Sequence, residues 1–246
     1  MSEDRAVSES LGFVIIFSII VTTVGLTYTL GMTELNRTRT AEHLNNAERA
    51  FDVLAGNADD IVHGGVPSRA TEVKLRDANV YLGDPVTVNV SGHATGDPND
   101  NFSVEYDLRP VVYESAEGSR LVYSQGAVFR SDGGTIMVVE PNFVLGDGGV
   151  AVPIVQTRAT SAESVGGSTT VLVRMALAEQ SVLVSRTSDT YALNVTIDSP
   201  RHAAWREYFR SRGMSGCELH GTAVSCEETG VEHLYVSVSR VDVEFA

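Results

Sequence analysis

Hydrophobic and polar positions divide the chain into three stretches. From Leu11 to Thr33, 23 successive residues carry neither charge nor proline. In a helix rising about 1.5 Å per residue they extend roughly 34 Å, which covers a hydrocarbon core of about 30 Å. Large apolar side chains contribute roughly −0.3 to −0.6 kcal/mol each to insertion, and about a dozen of them outweigh the interspersed Ser, Thr and Gly. The run predicts a membrane-spanning helix. A cleaved secretory signal has a different pattern, an apolar region of about 7–15 residues followed by a small-residue site. This run is longer and leads into Met32-Thr33-Glu34-Leu35 with no such site.

From Glu34 the period changes. Leu44, Ala47, Phe51, Leu54, Ala58 and Ile61 recur at spacings of three and four, one apolar stripe on a helix. Glu42, Arg49, Asp52 and Asp59 fall largely outside it. Good helix formers dominate and no proline appears before Pro67. The pattern therefore predicts continuation of the first helix, the alternative being a break near Gly31 or Gly56. His63-Gly64-Gly65-Val66-Pro67-Ser68 ends the helical region.

Beyond Pro67 the period falls to two. Segments such as Glu72–Leu75, Asn79–Leu82, Val86–Val90, Phe102–Leu108, Val111–Tyr113 and Leu121–Tyr123 read as strands alternating apolar with polar. Turn-rich pieces such as Gly96-Asp97-Pro98-Asn99-Asp100 separate them. Ser131-Asp132-Gly133-Gly134 predicts a hairpin between Ala127–Arg130 and Thr135–Glu140. Val150–Gln156, Thr169–Leu177, Gln180–Arg186 and Tyr191–Ile197 follow, and Leu234–Phe245 closes the series. One helix interrupts it, with Ser199 as cap, Pro200 at the first position and Gly213 as stop. Its Ala204, Trp205, Tyr208 and Phe209 form the apolar face, and Trp205 reads as a core anchor.

The expected fold class is α+β: a long N-terminal transmembrane and amphipathic helix, then an antiparallel, sandwich-like β-rich domain with one short C-terminal helix. The expected divisions are a leader at 1–6, a transmembrane helix at 7–33, an amphipathic extension at 34–63 and a β-rich domain at 68–246.

Charge and cysteine content place this domain. Asp and Glu number 32 against 18 Lys and Arg, of which only Lys74 is lysine. With no basic patch or stripe, nucleic acid is not an expected partner. Cys217 and Cys226, nine positions apart, read as a disulfide closing a short hairpin or loop in an oxidising compartment. Asn36, Asn89, Asn101 and Asn194 open Asn-x-Ser/Thr sequons, a modest excess that suits an exterior domain. Basic residues point the other way: Arg37 and Arg39 follow the apolar run and Arg5 precedes it, which leans towards a cytoplasmic C-terminus. The cysteine pair, the sequons and the leader at 1–6 outweigh that bias, so the β-domain is expected outside the cell.

Motifs of catalysis are sparse. Asp97-x-Asn99-x-Asn101 resembles the opening of a calcium loop, but Phe102 and Leu108 stand where glycine and glutamate belong, and a solvated turn is the better reading. His220 and His233 lack companions at ligand spacing and read as surface histidines. No nucleophile elbow, phosphate loop or His-Glu-x-x-His occurs. Neither enzymatic activity, cofactor nor metal is expected.

The residues before the apolar run, Arg5-Ala6-Val7-Ser8-Glu9-Ser10, resemble the class III signal of archaeal prepilins. That resemblance implies a prepilin peptidase acting between Ala6 and Val7, with the anchor retained. Two departures stand out: where haloarchaeal pilins beginning Val-Ser usually continue with proline this chain has Glu9, and Glu9 would be third in the mature chain rather than fifth. Glu9 is either an assembly residue that pairs with a neighbour's new amino terminus or a carboxylate favoured by the helix N-terminus. Together with Asn46-Ala47-Glu48-Arg49-Ala50-Phe51, Gly126-Ala127-Val128-Phe129-Arg130 and the tryptophan-bearing helix before the cysteine pair, the motif resembles a haloarchaeal type IV pilin-like surface family. An acidic, lysine-poor composition resembles proteins of extreme halophiles. The resemblance implies a membrane-anchored subunit of a cell-surface structure, with the bilayer, the peptidase and other pilin-like subunits as partners. A monomeric, membrane-tethered envelope binding protein of the same topology is the alternative.

Overall fold

The computed structural model describes residues 3–146, 148–160 and 162–246, leaving aside the side chains of residues 3–11, 36, 37 and 98. The side chains of Arg5, Ala6, Val7, Glu9 and Asn36 therefore lie outside the described residues. The chain divides into two compact units, Met1–Asn45 and Asn46–Ala246.

Helix α1, Glu3–Val62, runs unbroken through Gly31 and Gly56. Its end is set by the Gly64-Gly65 pair, Gly65 adopting φ +67°, and by Pro67, after which the backbone becomes extended. All six residues of the apolar stripe are buried.

Fifteen strands and one helix follow among the described residues: β1 (Ser68–Lys74), β2 (Ala78–Leu82), β3 (Val86–Ala94), β4 (Asp97–Leu108), β5 (Val111–Ser115), β6 (Arg120–Ser124), β7 (Ala127–Ser131), β8 (Thr135–Val139), β9 (Gly149–Ala159), β10 (Ser164–Gly167), β11 (Thr170–Arg186), β12 (Tyr191–Asp198), α2 (His202–Ser211), β13 (Ser215–His220), β14 (Ala223–Val231) and β15 (His233–Phe245). They build three sheets, ordered β1-β11-β15-β9, β10-β2-β5-β6-β7-β8 and β13-β14-β12-β3-β4. The α+β class is as the sequence predicts, and the sheets are antiparallel except where β15 runs parallel to β9.

Several details depart from the sequence pattern. Thr169–Leu177 and Gln180–Arg186, expected as two strands, form the single long β11, whose pairing with β15 shifts register at Leu177/Glu179 and Val182/Val184. A bulge absorbs an extra residue and lets one strand continue. The turn expected over residues 96–100 is shorter, because β4 begins at Asp97. Strands β5 and β6 do not alternate apolar with polar, since Val111, Val112, Tyr113, Leu121, Val122 and Tyr123 are all buried. A short continuous apolar run is the signature of a strand covered on both faces.

The two faces serve different cores. One core joins the inner residues of the five-stranded sheet (Val88, Val195, Ile197, Val224) to Leu234, Val236 and Val238 of β15, Val122, Phe129 and the apolar face of α2. Trp205 sits at its centre, fully buried, with ring centroids 5.4 Å from Phe129 and 5.8 Å from Phe209. On the other side, residues 46–62 of α1 meet the sheets. Phe51 packs edge-on to Tyr113, Asn57 donates to Thr71 Oγ1 at 2.9 Å, and Arg130 donates to Glu48 at 2.7 Å.

Helix α2 starts two residues later than the sequence suggests. Pro200 occupies the preceding turn, and the Ser199 hydroxyl accepts the Arg201 amide at 3.2 Å. Gly213 stops the helix at φ +91°, in the left-handed region where glycine has no Cβ penalty.

Candidate functional site

Three features of the molecule bear on function: the first part of α1, a cavity beside its last turns, and the outer face of the five-stranded sheet. Each is a separate piece of chemistry.

Helix α1 from Gly12 onward contains a segment long and apolar enough to cross a membrane, and none of that segment is buried by protein. Phe13 and Leu30 are each 69% exposed. Several of its hydroxyls turn back upon the helix itself. Ser18 donates to the Val14 carbonyl at 2.7 Å, Thr23 to Ile19 at 2.7 Å, Thr27 to Thr23 at 2.9 Å and Thr33 to Thr29 at 2.9 Å. A hydroxyl that bonds the carbonyl four residues back needs no water, so these residues lose little in hydrocarbon. The segment is a candidate membrane span.

The cavity, of about 210 Å³, is lined by the last turns of α1 together with Tyr123, Gln125, Asn142, Phe143 and residues of β8 and β9. A two-residue hairpin shapes its floor. Ser124 pairs with Ala127, so Gln125 (φ +56°) and Gly126 (φ +81°) form the loop between β6 and β7. Two successive positive φ values are what a type I′ turn requires. The cost of a left-handed glutamine is offset by what its side chain does. The buried Gln125 amide donates to the Pro153 carbonyl at 2.8 Å and accepts the Val155 amide at 3.0 Å. Strand β9 lies at the edge of its sheet, and Gln125 satisfies backbone groups there that no further strand reaches.

Polar groups converge on the cavity. Asp59 Oδ1 accepts from Asn142 at 2.6 Å and lies 2.6 Å from His63 Nδ1. The fully buried Tyr123 hydroxyl makes no hydrogen bond of normal geometry, although the Gly126 amide approaches it. Burial, and secondarily the Asp59 carboxylate, push the Tyr123 pKa well above the usual tyrosine value, so it remains a neutral donor. Asp52, Asp59 and Glu140 give the cavity an acidic lining, and the Tyr123 hydroxyl lies buried behind it. Sequence reasoning missed this site. The clue was Gln125-Gly126 between two apolar runs.

The five-stranded sheet carries three of the four sequon asparagines. Register places Asn89 opposite Glu105 and Thr196, Asn194 opposite Ser91, and Asn101 opposite His93. All lie on the face opposite the buried Val88, Val90, Leu193 and Val195. Cys217 and Cys226 form a disulfide across the β13–β14 hairpin at the sheet's edge, with Cα atoms 4.1 Å apart. Asp97 is occupied locally, its Oδ1 accepting the Asn99 amide at 2.9 Å, as in an Asx turn. His220 lies 3.4 Å from Glu218, both exposed, and His233 lines a shallow apolar hollow with Val144 and Tyr235. Among the described residues no three His, Cys, Asp or Glu side chains are grouped to hold a metal ion.

Fold and sites together define a class: a chain with, among the described residues, one candidate membrane-spanning helix and an α+β, disulfide-bonded head. Within that class the chain belongs to DUF7289, a family of unknown function whose model matches residues 5–244. No curated protein and no solved structure matches it.

Proposed function

We propose that this chain is a membrane-anchored, pilin-like subunit of an archaeal cell-surface structure, a minor subunit acting in assembly or adhesion. The observation that carries this reading is the change of character along α1: apolar on all sides and unburied at first, then striped and buried in the head. A helix of that kind can rest in lipid and exchange lipid for neighbouring helices on assembly, while its second half fixes the head. The Cys217–Cys226 disulfide supports a head outside the cell, where such bonds persist. In this reading a prepilin peptidase cuts between Ala6 and Val7, and Glu9 sits beside the new amino terminus.

The mature N-terminus tests it. Mass spectrometry of protein recovered from native membranes is expected to give a chain starting at Val7. A chain that retains Met1 or Ser2 sinks the processing step and the filament reading with it.

The cavity favours a second reading, a monomeric tethered binding protein of the cell envelope. Its acidic lining, with Asp52, Asp59 and Glu140 around one hollow, is a feature that a purely structural subunit does not need. In that case small organic amines should protect the head against heat, and Asp59→Asn should abolish the protection.

A further inference from the structure

We infer that the outer face of the five-stranded sheet is a glycan-bearing surface, with Asn101 as its principal acceptor. The inference rests on the exterior placement of the head proposed above. Its carrier is a juxtaposition that the sequence alone does not reveal. Asn89-Val90-Ser91, Asn101-Phe102-Ser103 and Asn194-Val195-Thr196 lie on three adjacent strands, β3, β4 and β12. Because strand side chains alternate with period two, each asparagine and its hydroxyl partner point to the same side. Register then brings Ser103, Ser91 and Asn194 into one cross-strand row and Glu105, Asn89 and Thr196 into the next. The middle residues Val90, Phe102 and Val195 turn inward to the core or against it. Acceptor amides and hydroxyls thus share one open face.

The three sites differ in what must be broken to modify them. Asn89 and Asn194 sit on strands paired on both sides. Asn89 also donates to Ser103 at 3.2 Å and Glu105 at 3.3 Å, and Asn194 Oδ1 accepts from Ser225 at 2.7 Å and Thr196 at 3.1 Å. Asn101 is exposed, donates from its amide to the Asn99 carbonyl of its own strand at 3.4 Å, and lies on β4, an edge strand that pairs only with β3 within its sheet. The pairing shifts register between His93 and Ala94, just past its partner His93. Drawing Asn101 into a transferase therefore disturbs one ladder rather than two. Spacing also limits occupancy. With strands about 4.8 Å apart and about 3.4 Å per residue, Asn89 and Asn194 are roughly 8 Å apart, whereas Asn101 lies about 12–14 Å from either. Two glycans at the first pair would crowd each other; one beside Asn101 would not.

The chemistry needs a glycosyl donor, a sugar joined through its anomeric carbon to a polyprenyl phosphate or diphosphate, and a membrane transferase. The Asn101 amide nitrogen forms a bond to the anomeric carbon as the bond from that carbon to the phosphate oxygen breaks. The phosphate leaves with the electron pair, and the amide gives up one proton. A glycan there would cover the polar face and leave the cavity beside α1 open for contacts.

Glycopeptide mapping of the full chain from native membranes tests this, alongside Asn101→Gln, Ser103→Ala and Ser103→Thr. Expected is a saccharide mass on the Asn101 peptide, lost in the first two variants and kept in the third. Loss in Asn101→Gln but not in Ser103→Ala overturns sequon recognition. Sugar on Asn89 or Asn194 with Asn101 bare overturns the assignment. A bare Asn101 in a head that protease reaches on intact cells overturns the inference alone. A bare Asn101 in a protected head with reduced cysteines overturns the exterior placement as well.

Discussion

Residues 12–33 and residues 47–62 belong to one continuous helix, yet they solve opposite problems. In the first stretch apolar side chains surround the axis and the hydroxyls bond back to the helix's own carbonyls. In the second, Ala47, Phe51, Leu54, Ala58 and Ile61 confine the apolar surface to a stripe that the sheets cover. Helix formation is common to both, so secondary structure does not distinguish them. What differs is the surrounding each suits: an apolar medium for the candidate span, the chain's own core for the other.

The strongest way to break that contrast is to damage the striped half alone. Phe51→Ala removes a fully buried ring that meets Tyr113 edge-on, and should cost the head about 3–5 kcal/mol. Thermal unfolding of detergent-solubilised protein should register the loss while membrane retention stays unchanged. If the protein also leaves the membrane, the two halves are not independent.

Ile19→Lys makes the converse cut. A cation at the centre of an apolar span costs about 2.5–3.5 kcal/mol of insertion on the translocon scale, and Ile19 lies three residues from the middle of the run, so the cost is close to that. Fractionation should show loss from membranes, with the disulfide and the melting of the head preserved. Retention at wild-type levels would sink the reading of this segment as a span.

Gln125→Leu sharpens the comparison inside the head. It leaves the Pro153 carbonyl and the Val155 amide without partners, at about 1–3 kcal/mol for each buried group. The hairpin would also have to hold a less suitable residue at positive φ. Hydrogen exchange should locate the loosening in β9, whereas Gln125→Asn, suited to the backbone but shorter, should restore the turn without the β9 contacts.

Acid gives the smallest effect. The Arg120 hydrogen bond, and then that of Tyr81, hold the Glu114 carboxyl below its ordinary value near 4.5. A depressed folded pKa means that stability is fully present above that value and is lost as pH falls through the lower folded one. The contact is partly solvated, so the loss should be about 1 kcal/mol or less. Glu114→Gln should flatten the dependence of head melting on acid below about pH 4.5, and an unchanged slope would remove Glu114 from the account.

Much of this architecture is legible from one sequence because it rests on local period. The uncharged run, the stripe from Leu44 to Ile61 and the Ser131–Gly134 turn each declare themselves within a few residues. Legibility fails where the answer depends on distant neighbours. Val111–Tyr113 and Leu121–Tyr123 look like half-buried strands until the main core takes Val112 and Val122 on one face and α1 meets Tyr113 on the other. The bulges that merge two expected strands into β11 are set by β15, far along the chain. The cavity is assembled from four elements, and the one local sign of it, Gln125-Gly126 between two apolar runs, marks only the turn. The sequons were visible as motifs, but their common face is a property of register.

The strand order carries a consequence for how the protein is made. β15 comes last of the fifteen strands, yet it lies inside the four-stranded sheet, between β11 and β9, and supplies apolar residues to both of its faces. Until residue 245 has left the ribosome the sheet is split, with β1 and β11 on one side and β9 stranded on the other. The head thus has a late keystone: of the described strands the one that joins the two parts of this sheet is the last to be made, and without it β11 and β9 share no neighbour.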